Sequence, residues 1–207
     1  RSIGDFAFDG CSSLLLITIP SSVTSIGSGA FGWCSSLRSI TIPSSVTSIG
    51  NGAFNHCSDL QSITVEPNNP NYASKDGILF TKNFEILLRF PIKHEFFEYT
   101  IPRMVTSIGD SAFSNCENLE LIRISTSVTS IGNSAFSECS NLQSITIPSG
   151  VTSIGKSVFY LCSSLRSITI SASVTLIDDE AFSCCECLQS ITVESGNEKY
   201  ESKNGIL

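Results

Sequence analysis

Nine cysteines, two histidines and many serines carry the reactive side chains of this chain. Three of the cysteines crowd into Cys184-Cys185-Glu186-Cys187. Zinc takes four tetrahedral ligands, as a rule from two separated pairs, and no second Cys/His cluster follows this one. Exposed, oxidation-prone thiols are therefore expected there, and no metal is assigned. His56 and His94 fall at unrelated places. A serine nucleophile needs a base and an orienting acid. The sequence has no HExxH, nucleophile elbow, phosphate loop or kinase signature. No catalytic residues and no cofactor are implied, and the chain reads as a non-enzyme.

The remaining cysteines obey a spacing. Cys11, Cys34, Cys57, Cys116, Cys139, Cys162 and Cys185 occupy one repeat position, whereas a disulfide framework would show varied intervals. The expectation is a buried ladder of free thiols, each a small apolar filler. Such a ladder sits awkwardly in an oxidising exterior unless burial protects it.

The same period runs through the whole chain. Val23-Thr24-Ser25-Ile26-Gly27 returns at Val46, Val105, Val128 and Val151, and in worn form at Val174. A fixed interval of 23 residues is the mark of a solenoid, whose coils bury an apolar face only by stacking. In the coil Leu37 to Cys57, Ile40 and Ile42 alternate with Ser39 and Thr41, as a half-buried strand requires. Pro43 has no amide hydrogen and should end that strand. Gly50 should permit a sharp turn, and Ala53-Phe54 to Cys57 suits one helical or 3₁₀ turn.

Stacked strands predict a parallel sheet on one face, with rungs at Leu14–Ile19, Leu37–Ile42, Leu60–Val65, Leu119–Ile124, Leu142–Ile147, Leu165–Ile170 and Leu188–Val193. Phe96-x-x-Tyr99-x-Ile101-Pro102 supplies an eighth. Regular coils thus fill 1–65 and 105–193 of one solenoid, with an enlarged coil over 66–104. Ile78-Leu79-Phe80 and Ile86 to Phe90 read as its hairpin, with Phe80, Phe84 and Phe90 either packing on the solenoid or facing a partner. Tyr72…Asp76-Gly77-Ile78-Leu79 recurs as Tyr200…Asn204-Gly205-Ile206-Leu207, so 194–207 reads as a second, truncated hairpin with a frayed end. Both ends fall inside repeat elements, which reads as a piece of a longer protein.

The pattern Leu-x-x-Ile-x-Ile-Pro-x-x-Val-x-x-Ile-Gly-x-x-Ala-Phe-x-x-Cys resembles the BspA-like (Treponema pallidum-type) leucine-rich repeat family over essentially all 207 residues. Local departures are Asp178 for Gly, Val158 for Ala, and Ser125 and Ser171 for Pro. The resemblance implies a right-handed solenoid, mostly β, on proteins of host-associated bacteria and anaerobic protists. It also implies a cell-surface or secreted location, adhesion to host proteins or cells, and no catalytic residues.

Charge and composition narrow the partners. The net charge is −7 and Lys/Arg form no runs, which argues against nucleic acid or an anionic membrane. No stretch of about 18 apolar residues is present to span a bilayer. Positions that vary between near-identical copies are the freest to encode recognition. The residue after the strand-opening position is Leu15, Arg38, Gln61, Phe97, Glu120, Gln143, Arg166 or Gln189, and Phe97, Glu98, Glu120, Leu121 and Arg123 form the least generic patch. A protein ligand, such as a host cell-surface or matrix protein, is the expected partner, with neutral drift as the rival account of the column. Two other readings stand beside it. One is a structural spacer; the other is an ice-ordering face made by Ser39/Thr41, Ser62/Thr64, Ser144/Thr146, Ser167/Thr169 and Ser190/Thr192.

Overall fold

The computed structural model describes residues 1–203, which divide into two compact units, Arg1–Glu95 and Phe96 onward. The first unit carries β1 (Ser2–Ile3), β2 (Ser25–Ile26), β3 (Ser39–Ile42), β4 (Ser48–Ile49), β5 (Ser62–Val65), β6 (Tyr72–Lys75), β7 (Ile78–Thr81) and β8 (Ile86–Arg89). The second carries β9 (Glu98–Thr100), β10 (Ser107–Ile108), β11 (Leu121–Arg123), β12 (Ser130–Ile131), β13 (Ser144–Thr146), β14 (Ser153–Ile154), β15 (Ser167–Ile170), β16 (Leu176–Ile177) and β17 (Ser190–Val193).

Most coils contribute twice to parallel pairing, with the equivalent residues 23 on. The longer strands pair β3 with β5, and β9, β11, β13, β15 and β17 in succession, including the rung at Glu98–Thr100. The Ser-Ile of the Val-x-x-Ile phrases (Leu176-Ile177 in the worn copy) forms further ladders of two-residue strands, such as β1-β2-β4. Alternation explains which face is buried: Ile40 and Ile42 are sealed while Ser39 and Thr41 face outward. Leu14–Ile19 repeats the same phrase but forms no strand.

No helix or 3₁₀ turn forms at the Ala-Phe arm among the described residues. Its amides alternate instead. Ala30, Gly32 and Cys34 donate within the coil to Gly27, Gly29 and Phe31, while Gly29, Phe31 and Trp33 donate to Asn51, Ala53 and Asn55 of the next coil. A helix would need consecutive amides turned inward. Two residues per arm hold the left-handed conformation that this alternation uses, for example Gly29 (φ 59) with Trp33 (φ 56) and Ser134 (φ 53) with Glu138 (φ 61). The arm's phenylalanines point inward and stack from coil to coil. Phe8–Phe31–Phe54 lie 5.3 and 5.8 Å apart, and Phe113–Phe136–Phe159–Phe182 lie 5.2, 5.5 and 5.6 Å apart.

The repeated Gly answers to crowding rather than to a turn. Gly27 and Gly50 lack positive φ, but a Cβ on Gly27 would stand 2.5 Å from the Asp5 amide nitrogen, and one on Gly50 would overlap Ser28 backbone. At these two positions a Cβ would force the coils apart, whereas Asp178, in the same column, carries one and keeps the equivalent amide bond to Ile154 at 2.9 Å.

The expected hairpin is larger than its sequence suggests. β6, β7 and β8 form a three-stranded antiparallel meander, with β6 as an added strand. Phe80 and Phe90 are buried and Phe84 leans on Phe80 at 5.2 Å, so the phenylalanines pack rather than project. The meander's first turn lies on the edge of β5, where Ile63 donates to the Gly77 carbonyl at 2.8 Å. Three side chains close the preceding coil and a fourth closes the end of β5. Glu66 accepts from the Ser44 amide, Asn69 donates to the carbonyls of Pro43 and Val46, the Tyr72 hydroxyl accepts from Ile49, and the Ser74 hydroxyl accepts from Val65. Glu194, Asn197, Tyr200 and Ser202 repeat all four contacts in the second unit. Of the truncated hairpin expected over 194–207, residues 204–207 lie outside the described residues.

Candidate functional site: the outward sheet face

Strand pairing brings the variable residues of the second unit side by side. Glu120 donates its amide to Phe97, Gln143 to Glu120, Arg166 to Gln143 and Gln189 to Arg166, at 2.8, 3.1, 2.9 and 2.9 Å. Their side chains therefore form one file across the sheet, because equivalent residues of parallel strands stand on one face. Phe97, Glu120, Gln143 and Arg166 are all exposed, and Phe97 retains 62% of its accessible surface. Leu121 is in register with Glu98 on one side and Ser144 on the other.

Two separate polar contacts lie in this patch. The Arg123 guanidinium meets the Glu98 carboxylate at 3.0 Å, diagonally across β9 and β11, with both side chains more than half exposed. Such an exposed pair contributes little stability, typically about 1 kcal/mol or less. The Gln143 amide donates to the Glu120 carboxylate at 3.4 Å. The patch thus holds two adjacent files, exposed Phe97 with Glu120 and Gln143 in one, and Glu98, half-buried Leu121 and Arg123 in the other. In the first unit, Arg38 and Gln61 are exposed neighbours linked by a 2.8 Å backbone hydrogen bond. The hairpin turn covers the edge beside them, since Gly77 presses on Ser62.

The other reactive side chains are drawn into structure. Cys34, Cys57, Cys116, Cys139 and Cys162 are buried, while Cys185 is half-buried and Cys11 exposed. Five of these thiols donate to a Phe carbonyl of the preceding coil, Cys57 to Phe31 at 3.0 Å and Cys162 to Phe136 at 3.1 Å among them. Burial pushes the Cys57 thiol up to about 12 and Cys185 to about 11, and it raises Cys34 and Cys162 as well. A thiol held neutral is a poor nucleophile and a poor metal ligand. Cys184 and Cys187 are exposed. Among the described residues, no group of three or more His, Cys, Asp or Glu side chains is placed to hold a metal. The His94 ring bonds the Asp76 carbonyl at 2.7 Å. His56 stacks on Trp33 with ring centroids 3.9 Å apart, a pairing that sequence reasoning missed. Its signal was the 23-residue interval between the two.

Among the described residues, no helix is long and apolar enough to cross a membrane. A family model described as BspA type leucine rich repeat region matches residues 1–84 and 90–203 in six copies. Comparison with curated proteins gave no match. Among solved structures, the chain is similar to a leucine rich cell surface protein of Faecalibacterium prausnitzii, with 34% identity and a TM-score of 0.77 over 94% of this chain and 57% of that one. The pneumococcal vaccine antigen PcpA shares the fold at 24% identity and a TM-score of 0.85, over 95% and 54% of the two chains. A leucine-rich repeat protein of Eubacterium ventriosum shares it at 24% identity and a TM-score of 0.70, over 98% and 71%. The chain thus spans little more than half the length of the first two.

Proposed function

We propose, from the premise that this chain belongs to the BspA type leucine-rich repeat family, that it is a non-enzymatic protein-interaction module acting at the cell surface or after secretion. Repeat solenoids of this kind present extended faces to protein ligands. The observation that carries the reading is the second unit's strand ladder, which sets exposed Phe97 in one file with the Glu120–Gln143 pair and half-buried Leu121 in the next with the Glu98–Arg123 pair. An accessible aromatic ringed by polar groups is how protein-binding hot spots are built. Arg166 extends the file, and Arg38 with Gln61 forms a smaller patch on the first unit.

A host cell-surface or matrix protein is the partner we favour. The description of the Faecalibacterium relative as a cell surface protein supports that location. A spacer role would leave the face without a ligand. The test is adhesion of the protein to cultured host cells and to immobilised matrix proteins, with Phe97→Ser and Leu121→Ser as variants. Binding should fall at least about tenfold, as loss of a central anchor predicts. Equal adhesion by the variants would remove this face as the binding site, and no adhesion by the wild type would favour the spacer.

A further inference from the structure

Trp33 is the single tryptophan and retains 57% of its surface, although His56 covers one face of its indole at 3.9 Å with the rings only 10° apart. What should cover the other face is the equivalent residue of the preceding coil. That residue is Gly10, which has no side chain, and a Cβ built there would meet nothing within 4 Å. The column Gly10–Trp33–His56 therefore leaves a gap on the indole about one coil deep, roughly 4.8 Å.

An acid occupies the neighbouring column. Asp9 occupies the column next to Gly10, and its successor in the following coil is Gly32. Because Gly32 lacks a side chain, the Asp9 carboxylate leans over it, into the space its Cβ would take. The carboxylate thus sits against the residue adjoining Trp33.

We propose that the open face of Trp33, with Asp9 beside it, binds the guanidinium of an arginine on a protein partner. A guanidinium is planar, stacks on aromatic faces and offers paired donors to a carboxylate. A lysine ammonium is compact and more strongly hydrated, so it fits a flat gap less well. The chain's net charge of −7 favours a basic partner. The site uses none of the sheet-face residues, so its failure and theirs are separable.

The test follows Trp33 fluorescence while acetyl-Gly-Arg-Gly-amide is added. Parallel titrations use the Lys and citrulline forms of the tripeptide, and methyl glucoside. The Arg peptide should give a saturable change, at least about fivefold tighter than the Lys peptide, with none from citrulline or the glucoside. Asp9→Asn should weaken the Arg response at least about fivefold. Gly10→Asn, whose side chain tolerates the left-handed backbone and fills the gap, should abolish it. Circular dichroism confirms that both variants fold. No saturable response to the Arg peptide overturns the proposal, as does an equal response to citrulline or to the glucoside.

Discussion

The Sγ of Cys57 donates a hydrogen bond to the backbone carbonyl of Phe31, 26 residues earlier, across 3.0 Å. The repeat position after each Ala-Phe arm therefore holds a residue that is small and apolar yet able to donate. Alanine would fill part of the volume and remove one of the two hydrogen bonds that the carbonyl accepts, leaving only that from the Cys34 amide at 3.3 Å.

Thiol titration should separate two classes. Cys11, Cys184 and Cys187 are exposed, so Ellman's reagent should reach those three quickly in the native protein and all nine cysteines after denaturation without reductant. Fewer than nine on denaturation would mean disulfides.

The same thiols set an alkaline limit. Cys57 is raised from an ordinary 9.0 to about 12, so the unfolded chain releases this proton at lower pH than the folded one. Stability from this group is complete below about pH 9 and is lost as pH rises towards 12. Melting temperature should be flat from pH 7 to 8 and fall from 9 upward. Cys57→Ala should flatten part of that fall.

Two glycines of the same repeat column should behave differently on substitution by alanine. A Cβ at Gly50 meets Ser28 backbone, which cannot yield without parting the coils. At Gly155 the nearest atom, at 2.7 Å, is the side-chain oxygen of Asn133, which can swing away. Gly50→Ala should cost about 1–3 kcal/mol, as overpacking does. Gly155→Ala should cost clearly less, and equal losses in urea unfolding would contradict this account.

Asn69 should be among the most sensitive polar positions. It is fully buried, donates to two carbonyls and accepts from the amides of Asn71 and Tyr72. Asn69→Ala leaves several buried groups unpaired and should cost about 3 kcal/mol. Asn71→Ala, at an exposed neighbour, should cost far less in the same thermal melt.

On the sheet face, Glu120→Ala with Arg123→Ala should weaken partner adhesion while the thermal melt changes little, because the Arg123–Glu98 pair is exposed. Unchanged adhesion would remove these residues from the binding site. The ice-ordering alternative predicts thermal hysteresis of the purified protein. We expect none, since Leu121 and Arg123 interrupt the hydroxyl files at Ser144 and Thr146.

The 23-residue interval alone determined the coil, the rungs from Glu98–Thr100 onward and the inward face of each strand. These follow from local patterning, because a two-residue alternation and a fixed period admit one stacking register. The variable column was legible for the same reason. The interval did not reveal that the Ala-Phe arm is non-helical. That outcome depends on amides that donate to the next coil, a competition between coils that no single coil's sequence expresses. The second ladder of two-residue strands, the clasp of Glu66, Asn69, Tyr72 and Ser74, and the uncovered indole of Trp33 are of the same kind. Each depends on which side chain stands one coil away and whether a glycine leaves it room. Contacts between coils are set by packing in three dimensions, so only the tertiary structure decided them.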